Sequence, residues 1–180
     1  IAVTGSAGTG KTTLVNALGA HLGLPVVPEG MREYLERTGV DLHDFAPHEL
    51  RGLVEDLWRE RLTRESAPAW VSDRCSVDFG AFWLLYRFHH QRGADTDGFM
   101  AAFRERAAVY DRIIVLPFGA IALQRDGIRS ANHWIQLHFH VVLEGLLARW
   151  ELGDRIRQLP PELVDPVERL RWVEAQLPAG

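Results

Sequence analysis

The stretch Ile1-Ala2-Val3-Thr4-Gly5-Ser6-Ala7-Gly8-Thr9-Gly10-Lys11-Thr12 decides the fold of this chain. Its first four residues are apolar or β-branched, as in a buried strand, and residues 11–22 form a typical helical segment. Between the two lies Gly-x-x-x-x-Gly-Lys-Thr, whose glycines let the backbone wrap around a phosphate with its N–H groups pointing inward. This strand–loop–helix context predicts a phosphate-binding loop.

The polar side chains of the loop indicate a nucleotide site. Lys11 is the only lysine among the 20 lysine and arginine residues of the chain, and its compact ammonium group can reach β- and γ-phosphates where a guanidinium fits poorly. We expect it to be an exposed loop residue that adds little to stability. The Thr12 hydroxyl is expected to bind Mg²⁺. The predicted ligand is ATP, with GTP left open, and the residues that bind it are Gly5, Ser6, Ala7, Gly8, Thr9, Gly10, Lys11, Thr12 and Thr13.

Short apolar strands alternate with helices along the chain. We predict strands at 1–4, 25–28, 69–72, 112–116 and 155–159, and helices at 11–22, 31–38, 47–66, 77–91, 97–110, 134–151 and 166–176. Such alternation predicts a parallel sheet with helices on both faces. The predicted fold class is α/β, a three-layer P-loop NTPase fold with about five parallel strands, and we expect one domain over 1–180 with a lid at about 121–134.

Composition limits the kind of partner. Hydrophobic residues make up 47% and charged residues 24% of the chain, as in globular proteins with a sizeable core. A net charge of −4 lacks the basic excess of a dedicated nucleic-acid binder, and no apolar run approaches the ~18 residues of a membrane span. Cys75 is the only cysteine, so we expect no internal disulfide and a cytoplasmic location. The oligomeric state stays open, a homodimer included.

The sequence lacks the motifs of most other classes of P-loop protein. A GTPase would carry Asn-Lys-x-Asp, which requires a second lysine, and an ABC ATPase would carry Leu-Ser-Gly-Gly; the sequence contains neither. An AAA+ or helicase module needs a longer chain and a strand that ends in Asp-Glu. The class that remains is the small-molecule kinases, whose members are about this size.

Three polar segments follow predicted strands, at 28–34, 71–76 and 123–130. Ligands of parallel sheets bind at the carboxyl ends of the strands, so we expect all three segments to lie near the mouth of the loop. In this order and context they resemble the nucleoside and nucleotide kinases. Asp73-Arg74-Cys75-Ser76 is similar to the Asp-Arg motif of thymidylate kinases and the Glu-Arg-Ser motif of deoxynucleoside kinases.

The other two segments resemble a narrower group. Glu29-x-x-Arg32-Glu33 and Asp126-Gly127-x-Arg129-Ser130 are similar to the ribosylnicotinamide kinase domain and related small AAA-domain proteins. Cys75 departs from the tyrosine of the thymidylate kinase motif, and that family's Arg-Glu-Pro-Gly is absent, which disfavours a monophosphate acceptor. The resemblance also implies that lid arginines, here Arg125 and Arg129, cover the transferred phosphoryl group. An ordinary solvated loop is the alternative for this segment.

Chemistry suggests roles for the polar residues after the strands. Asp73 is a candidate carboxylate for the hydrated Mg²⁺, or else the N-cap of the next helix. Arg74 is a candidate clamp on a phosphate or on the substrate, or else part of a surface salt bridge. Glu29 is a candidate general base for a substrate hydroxyl, or else a carboxylate that stabilises a helix N-terminus. Arg32, one turn further on, is expected to face the same cleft and hold the substrate.

Aromatic residues crowd the segment after Arg74, namely Phe79, Phe82, Trp83 and Tyr86. We expect most of them to be core. In nucleoside kinases the equivalent helix contributes to the base pocket, which implies that one or two of these rings contact the substrate.

The sequence therefore predicts an ATP- and Mg²⁺-dependent kinase acting on a hydroxyl of a small molecule, with a nucleoside-like riboside as the favoured acceptor. Two alternatives stay open. One is an antibiotic- or metabolite-modifying kinase on the same fold. The other is a regulatory NTPase that acts through a protein partner.

Overall fold

A five-stranded parallel sheet forms the centre of the protein. The computed structural model describes residues 1–39, 45–90, 93–122 and 132–177. Within them the strand order is β2-β3-β1-β4-β5. The strands are β1 (Ala2–Thr4), β2 (Val26–Val27), β3 (Val71–Asp73), β4 (Ile113–Val115) and β5 (Ile156–Gln158). The predicted α/β class with about five parallel strands is confirmed.

Helices cover both faces of this sheet. Among the described residues they are α1 (Lys11–Leu22), α2 (Met31–Thr38), α3 (Pro47–Arg64), α4 (Ser76–Leu85), α5 (Gly93–Ala107), α6 (His133–Arg149) and α7 (Pro166–Glu174). None of these helices is long and apolar enough to cross a membrane.

Alternation along each strand divides the core into two clusters, because successive strand residues point to opposite faces. Val3 and Ile114 pack with Leu18 of α1 and Val173 of α7. Ala2, next to Val3, points the other way, into the larger cluster. That cluster also contains Ile113, Val115, Trp58, Phe79, Trp83, Phe103, Phe139 and Leu143. The predicted three layers are thus two helical layers with the sheet between them.

The register brings the polar segments to one edge of the sheet. Val3 of the central strand pairs with Asp73 on one side and with Ile114 on the other. Val27, at the end of β2, pairs with Ser72. The loop that begins at Gly5, the end of β3 and the segment after β2 therefore lie side by side at the carboxyl edge.

Some predicted boundaries were wrong. β3 ends at Asp73 rather than at residue 72, so Asp73 belongs to the strand. α4 ends at Leu85 rather than at residue 91, since Arg87 has a left-handed φ of 62° and Phe88–His90 form a 3₁₀ turn. α5 begins at Gly93, before the predicted residue 97.

We predict that α1 tolerates no side chain at Gly19, where it packs on β2. A Cβ atom there would overlap the Val26 Cγ2 atom and lie 3.2 Å from the Leu24 carbonyl oxygen. Gly19→Ala should lower the free energy of unfolding by about 1–3 kcal/mol, the usual cost of overpacking. Urea unfolding followed by circular dichroism measures the difference.

Gly145 of α6 provides the matched control. Apart from its chain neighbours and the backbone of its own helix, no atom lies within 4 Å of a Cβ built on it. Gly145→Ala should therefore stabilise the protein by roughly 0.5–1 kcal/mol through helix propensity alone. If Gly19→Ala is as stable as Gly145→Ala, the close packing of α1 on β2 is wrong.

Candidate active site

The loop between β1 and α1 depends on its glycines. Gly5, Gly8 and Gly10 have φ values of 137°, 75° and 88°, which side chains other than hydrogen rarely allow. A Cβ on Gly5 would also lie 2.9 Å from the Leu116 carbonyl oxygen. Such backbone conformations turn N–H groups toward one side and form a concave anion site. Gly8, Thr12 and Thr13 are exposed, so the loop is accessible from solvent.

Lys11 is buried, and the expectation of an exposed lysine was wrong. Its residue is only 4% exposed, and Nζ donates a hydrogen bond to the Ser6 carbonyl oxygen at 2.7 Å. The Thr9 hydroxyl donates to the same carbonyl at 2.9 Å. The side chain thus folds back over its own loop, and the hydrogen bond holds the ammonium group there.

Thr12 and Asp73 meet at the mouth of the loop. The Thr12 hydroxyl donates to Asp73 Oδ2 at 2.6 Å. Asp73 Oδ1 is buried and has no hydrogen-bond partner in the described structure. The alternative role of Asp73 as a helix cap is wrong, because Cys75 is the N-cap of α4.

These oxygen atoms fit a hydrated Mg²⁺ ion. The described residues contain no group of three or more histidine, cysteine, aspartate or glutamate side chains placed to hold a metal. Mg²⁺ seldom needs one, since it keeps several water ligands and binds through one or two protein oxygens plus substrate phosphates. A hydroxyl and an unpartnered buried carboxylate oxygen are ligands of that kind.

Arg74 links the loop to Glu29. Its Nε donates to Glu29 Oε1 at 2.5 Å, and its Nη1 donates to the Gly5 carbonyl oxygen at 3.3 Å. The residue is 4% exposed, so a surface salt bridge is excluded. Burial alone would lower the pKa of Arg74, but the carboxylates of Glu29, Asp78 and Asp73 outweigh it and raise the pKa, so the guanidinium stays charged.

The backbone of Arg74 is held in a conformation that costs energy. Its φ of 72° lies in the left-handed region, which is unfavourable for a long side chain. The Arg74 N–H nevertheless bonds to the Val3 carbonyl oxygen at 2.8 Å. This geometry directs the guanidinium toward the loop, and such strain is typical of functional positions.

Asp78 is a site residue that the sequence analysis missed. Its carboxylate accepts hydrogen bonds from Arg74 Nη1 at 2.8 Å, the Thr4 hydroxyl at 2.6 Å and the Cys75 N–H at 2.9 Å. Asp78 is fully buried. It therefore fixes Arg74 relative to the end of β1, where the phosphate-binding loop starts.

Arg61 of α3 was also missed. Its Nη2 donates to the carbonyl oxygens of Pro28 at 3.2 Å and Asp73 at 2.9 Å, and its Nη1 donates to the Arg74 carbonyl oxygen at 3.1 Å. Glu65 Oε1 lies 3.1 Å from Nη1 and balances the buried charge. One guanidinium thus joins the backbone before Glu29 to the backbone of the Asp73–Arg74 pair.

Glu29 lies between β2 and α2 with its side chain 12% exposed. The N-cap of α2 is Gly30, and Glu29 pairs with Arg74 across the site, which argues against the alternative role at the helix N-terminus. The side chain of Arg32 lies outside the described part of the structure, as do Arg125, Arg129 and the rest of 123–131.

Aromatic rings surround the Arg74 guanidinium. Its Cζ atom lies 5.0 Å from the ring centre of Phe82 and 5.2 Å from that of Phe139. Tyr86 stacks on Phe82 with an interplanar angle of 8°, and burial raises the pKa of its hydroxyl. Phe79 and Trp83 are core residues as expected. Phe82 of α4 and Tyr86, the C-cap residue of that helix, therefore form an aromatic stack next to Arg74.

α6 contacts the loop although the two are far apart in the sequence. Gln136 Oε1 accepts a hydrogen bond from the Ala7 N–H at 3.0 Å, although 129 residues separate the two. Gln136 is buried. No motif in the sequence marks this contact.

Comparison with known proteins places the chain in a family. The model of a family described as AAA domain matches residues 1–154. The chain belongs to this AAA domain family. No curated protein sequence matches it. The resemblance to small AAA-domain proteins that the motifs indicated is confirmed.

Solved structures share the fold over nearly the whole chain. NadR protein in complex with NAD and AMP-PNP is 25% identical with a TM-score of 0.67, covering 97% of this chain and 47% of the NadR chain. NadR in complex with NR is 25% identical with a TM-score of 0.65, covering 97% and 49%. The present chain thus spans about half the length of NadR. Deoxyadenosine kinase from M. mycoides with bound dATP is 14% identical, with a TM-score of 0.63, and the match covers 97% of both chains. At this identity the likeness shows the fold alone.

We predict that Asp73 controls the Mg²⁺ requirement of phosphoryl transfer. Asp73→Asn keeps the shape of the side chain but removes the charge that would orient the hydrated ion. The rate should fall roughly 10–100-fold, the usual effect of losing a group next to a bound metal, and half-saturation should need more Mg²⁺. A Mg²⁺ titration of the transfer rate measures both.

Asp97→Asn, on the exposed surface of α5, is the matched control and should leave the titration unchanged. An unaltered Mg²⁺ titration for Asp73→Asn would show that Asp73 serves the architecture of the site and not the metal.

Proposed function

We propose that the chain is an ATP- and Mg²⁺-dependent phosphotransferase whose acceptor is a hydroxyl group of a small molecule, a nucleoside-like riboside. One observation carries the proposal. Arg74 contacts the Gly5 carbonyl oxygen of the phosphate-binding loop and the Glu29 carboxylate at the same time. A cation thus stands between the site of the phosphoryl donor and a carboxylate suited to accept a proton.

The donor side uses the loop. The Gly5–Thr12 backbone would cradle the β- and γ-phosphates of ATP, and Lys11 would neutralise charge that develops on the transferred group. Lys11 would then exchange its bond to Ser6 for phosphate oxygens. Thr12 and Asp73 would hold Mg²⁺, which supplies charge neutralisation on the phosphates.

The acceptor side uses Glu29 and Arg74. Phosphoryl transfer to an alcohol needs a group that takes the hydroxyl proton. The hydrogen bond from Arg74 Nε holds the Glu29 carboxylate beside the phosphate-binding loop, which Arg74 contacts at the Gly5 carbonyl oxygen. A carboxylate accepts several hydrogen bonds, so the ion pair with Arg74 is compatible with a substrate hydroxyl as a further donor.

Aromatic side chains support a flat or ring-shaped acceptor. Phe82 and Tyr86 stack beside Arg74, and aromatic faces suit the planar base of a riboside. NadR, which shares 25% identity, is described in complexes with NR, NAD and AMP-PNP. These complexes support a site in the present chain for nucleotides and small organic molecules.

The test of the proposal is a Glu29→Gln variant. The substitution keeps the shape of the side chain but removes its basicity, so substrate affinity should survive while transfer slows by about 10²–10⁴-fold, the contribution of a positioned base. Thermal-shift screening of nucleosides and metabolites with a nonhydrolysable ATP analogue selects the acceptor, since ligands of the folded state raise its stability. Single-turnover transfer then measures the rate.

Glu36→Gln, on the exposed face of α2, is the control and should behave as the unmodified protein. If Glu29→Gln transfers at the unmodified rate, Glu29 is not the base. If affinity for the acceptor falls while the rate at saturation is kept, Glu29 binds substrate only.

A further inference from the structure

Arg169 of α7 differs from the other buried arginines of the site. Arg169 is 2% exposed, and Arg61 and Arg74 are similarly buried, at 3% and 4%. Arg61 has the carboxylate of Glu65 beside it, and Arg74 has two carboxylates. The described residues supply no carboxylate partner to Arg169, and burial lowers its pKa.

Backbone oxygens hold Arg169 in place instead. Nη1 donates to the Thr9 carbonyl oxygen at 2.7 Å, and Nε donates to the Leu163 carbonyl oxygen at 2.7 Å. Nη2 is buried without a hydrogen-bond partner in the described structure. A buried guanidinium with an unused donor and no counter-charge is costly, and such a group calls for a ligand or a functional reason.

The contact with Thr9 also orients the phosphate-binding loop. In a trans peptide the carbonyl oxygen and the next N–H point in opposite directions. Because Arg169 holds the Thr9 carbonyl oxygen, the Gly10 N–H points away from Arg169, and the direction of this loop N–H is fixed. A Cβ on Gly10 would lie 3.0 Å from Arg169 Nη1, so the guanidinium packs directly on the loop.

We propose that Arg169 is part of the polyphosphate-binding site: it fixes the Thr9–Gly10 peptide, and its buried positive charge is balanced by the phosphates of the bound nucleotide. This inference rests on the proposed nucleotide site at Gly5–Thr12. Residue 169 lies beyond the segment 1–154 that the family model matches. Its contact with Thr9 spans 160 residues of sequence, so the last helix completes a site that begins at the first strand.

The experiment compares Arg169→Met, Arg169→Lys and Arg171→Met by calorimetric titration with Mg²⁺ and inorganic tripolyphosphate, ATP or adenosine. Arg171 is exposed on the same helix, so its variant controls for a loss of charge on α7. Arg169→Met should weaken the binding of tripolyphosphate and of ATP by the same factor, about tenfold or more. Arg169→Lys keeps the charge but cannot bond to the Thr9 and Leu163 carbonyl oxygens as the guanidinium does. Its affinity for tripolyphosphate and ATP should fall several-fold. Adenosine affinity should stay unchanged.

The outcomes are distinct. Unchanged tripolyphosphate affinity in a folded Arg169→Met protein overturns the inference, as does a loss confined to ATP and adenosine, which would place Arg169 at the base. Should Arg169→Met fail to fold, Arg169→Lys decides, and unmodified affinity in that variant overturns the inference. If the unmodified protein binds neither tripolyphosphate nor ATP, the proposed nucleotide site itself is wrong.

Discussion

A single buried side chain, Arg61, holds the backbone that carries Glu29, Asp73 and Arg74. Its guanidinium bonds to carbonyl oxygens on both sides of the β2–β3 edge, at Pro28 and at Asp73 and Arg74. Parallel strands end at the same edge of a sheet, but the chain after each strand can take any direction. Arg61 removes that freedom. It sets the distance between the segment that carries Glu29 and the pair that carries Asp73 and Arg74.

Burying this charge requires a complete network around it. Glu65 accepts from Arg61, from Arg106 Nε at 3.0 Å and from the Tyr110 hydroxyl at 2.8 Å. Burial, together with the nearby Glu65 carboxylate, raises the pKa of Tyr110 well above its ordinary value, so its hydroxyl remains a donor. Buried polar networks of this kind specify one geometry only when every member is satisfied. The precision of the site therefore originates partly below it, in the core between α3, α5 and the sheet.

The sequence predicted the parts of the fold and site that depend on local pattern. β1 and β4 are apolar runs, and the phosphate-binding loop is defined by glycines within a few residues of each other. β3 was predicted to end one residue too early because Asp73 is polar, and it is buried beside a partner elsewhere in the chain, Thr12. α4 ends at Leu85, shortly before a left-handed Arg87, and no glycine in this stretch signals the end. The contacts of Gln136 and Arg169 with the loop could not be predicted, because their loop partners are 129 and 160 residues distant.

The fate of the γ-phosphate is the most direct test of whether this AAA-domain protein is a kinase. ATP labelled at the γ-position would be incubated with the protein, Mg²⁺ and the best acceptor from the thermal-shift screen, and the labelled products separated over time. We expect the acceptor to accelerate ATP consumption, with the label recovered on the acceptor rather than as inorganic phosphate. If every acceptor leaves the rate unchanged and the label is recovered only as inorganic phosphate, the account is contradicted and a regulatory NTPase becomes the better description.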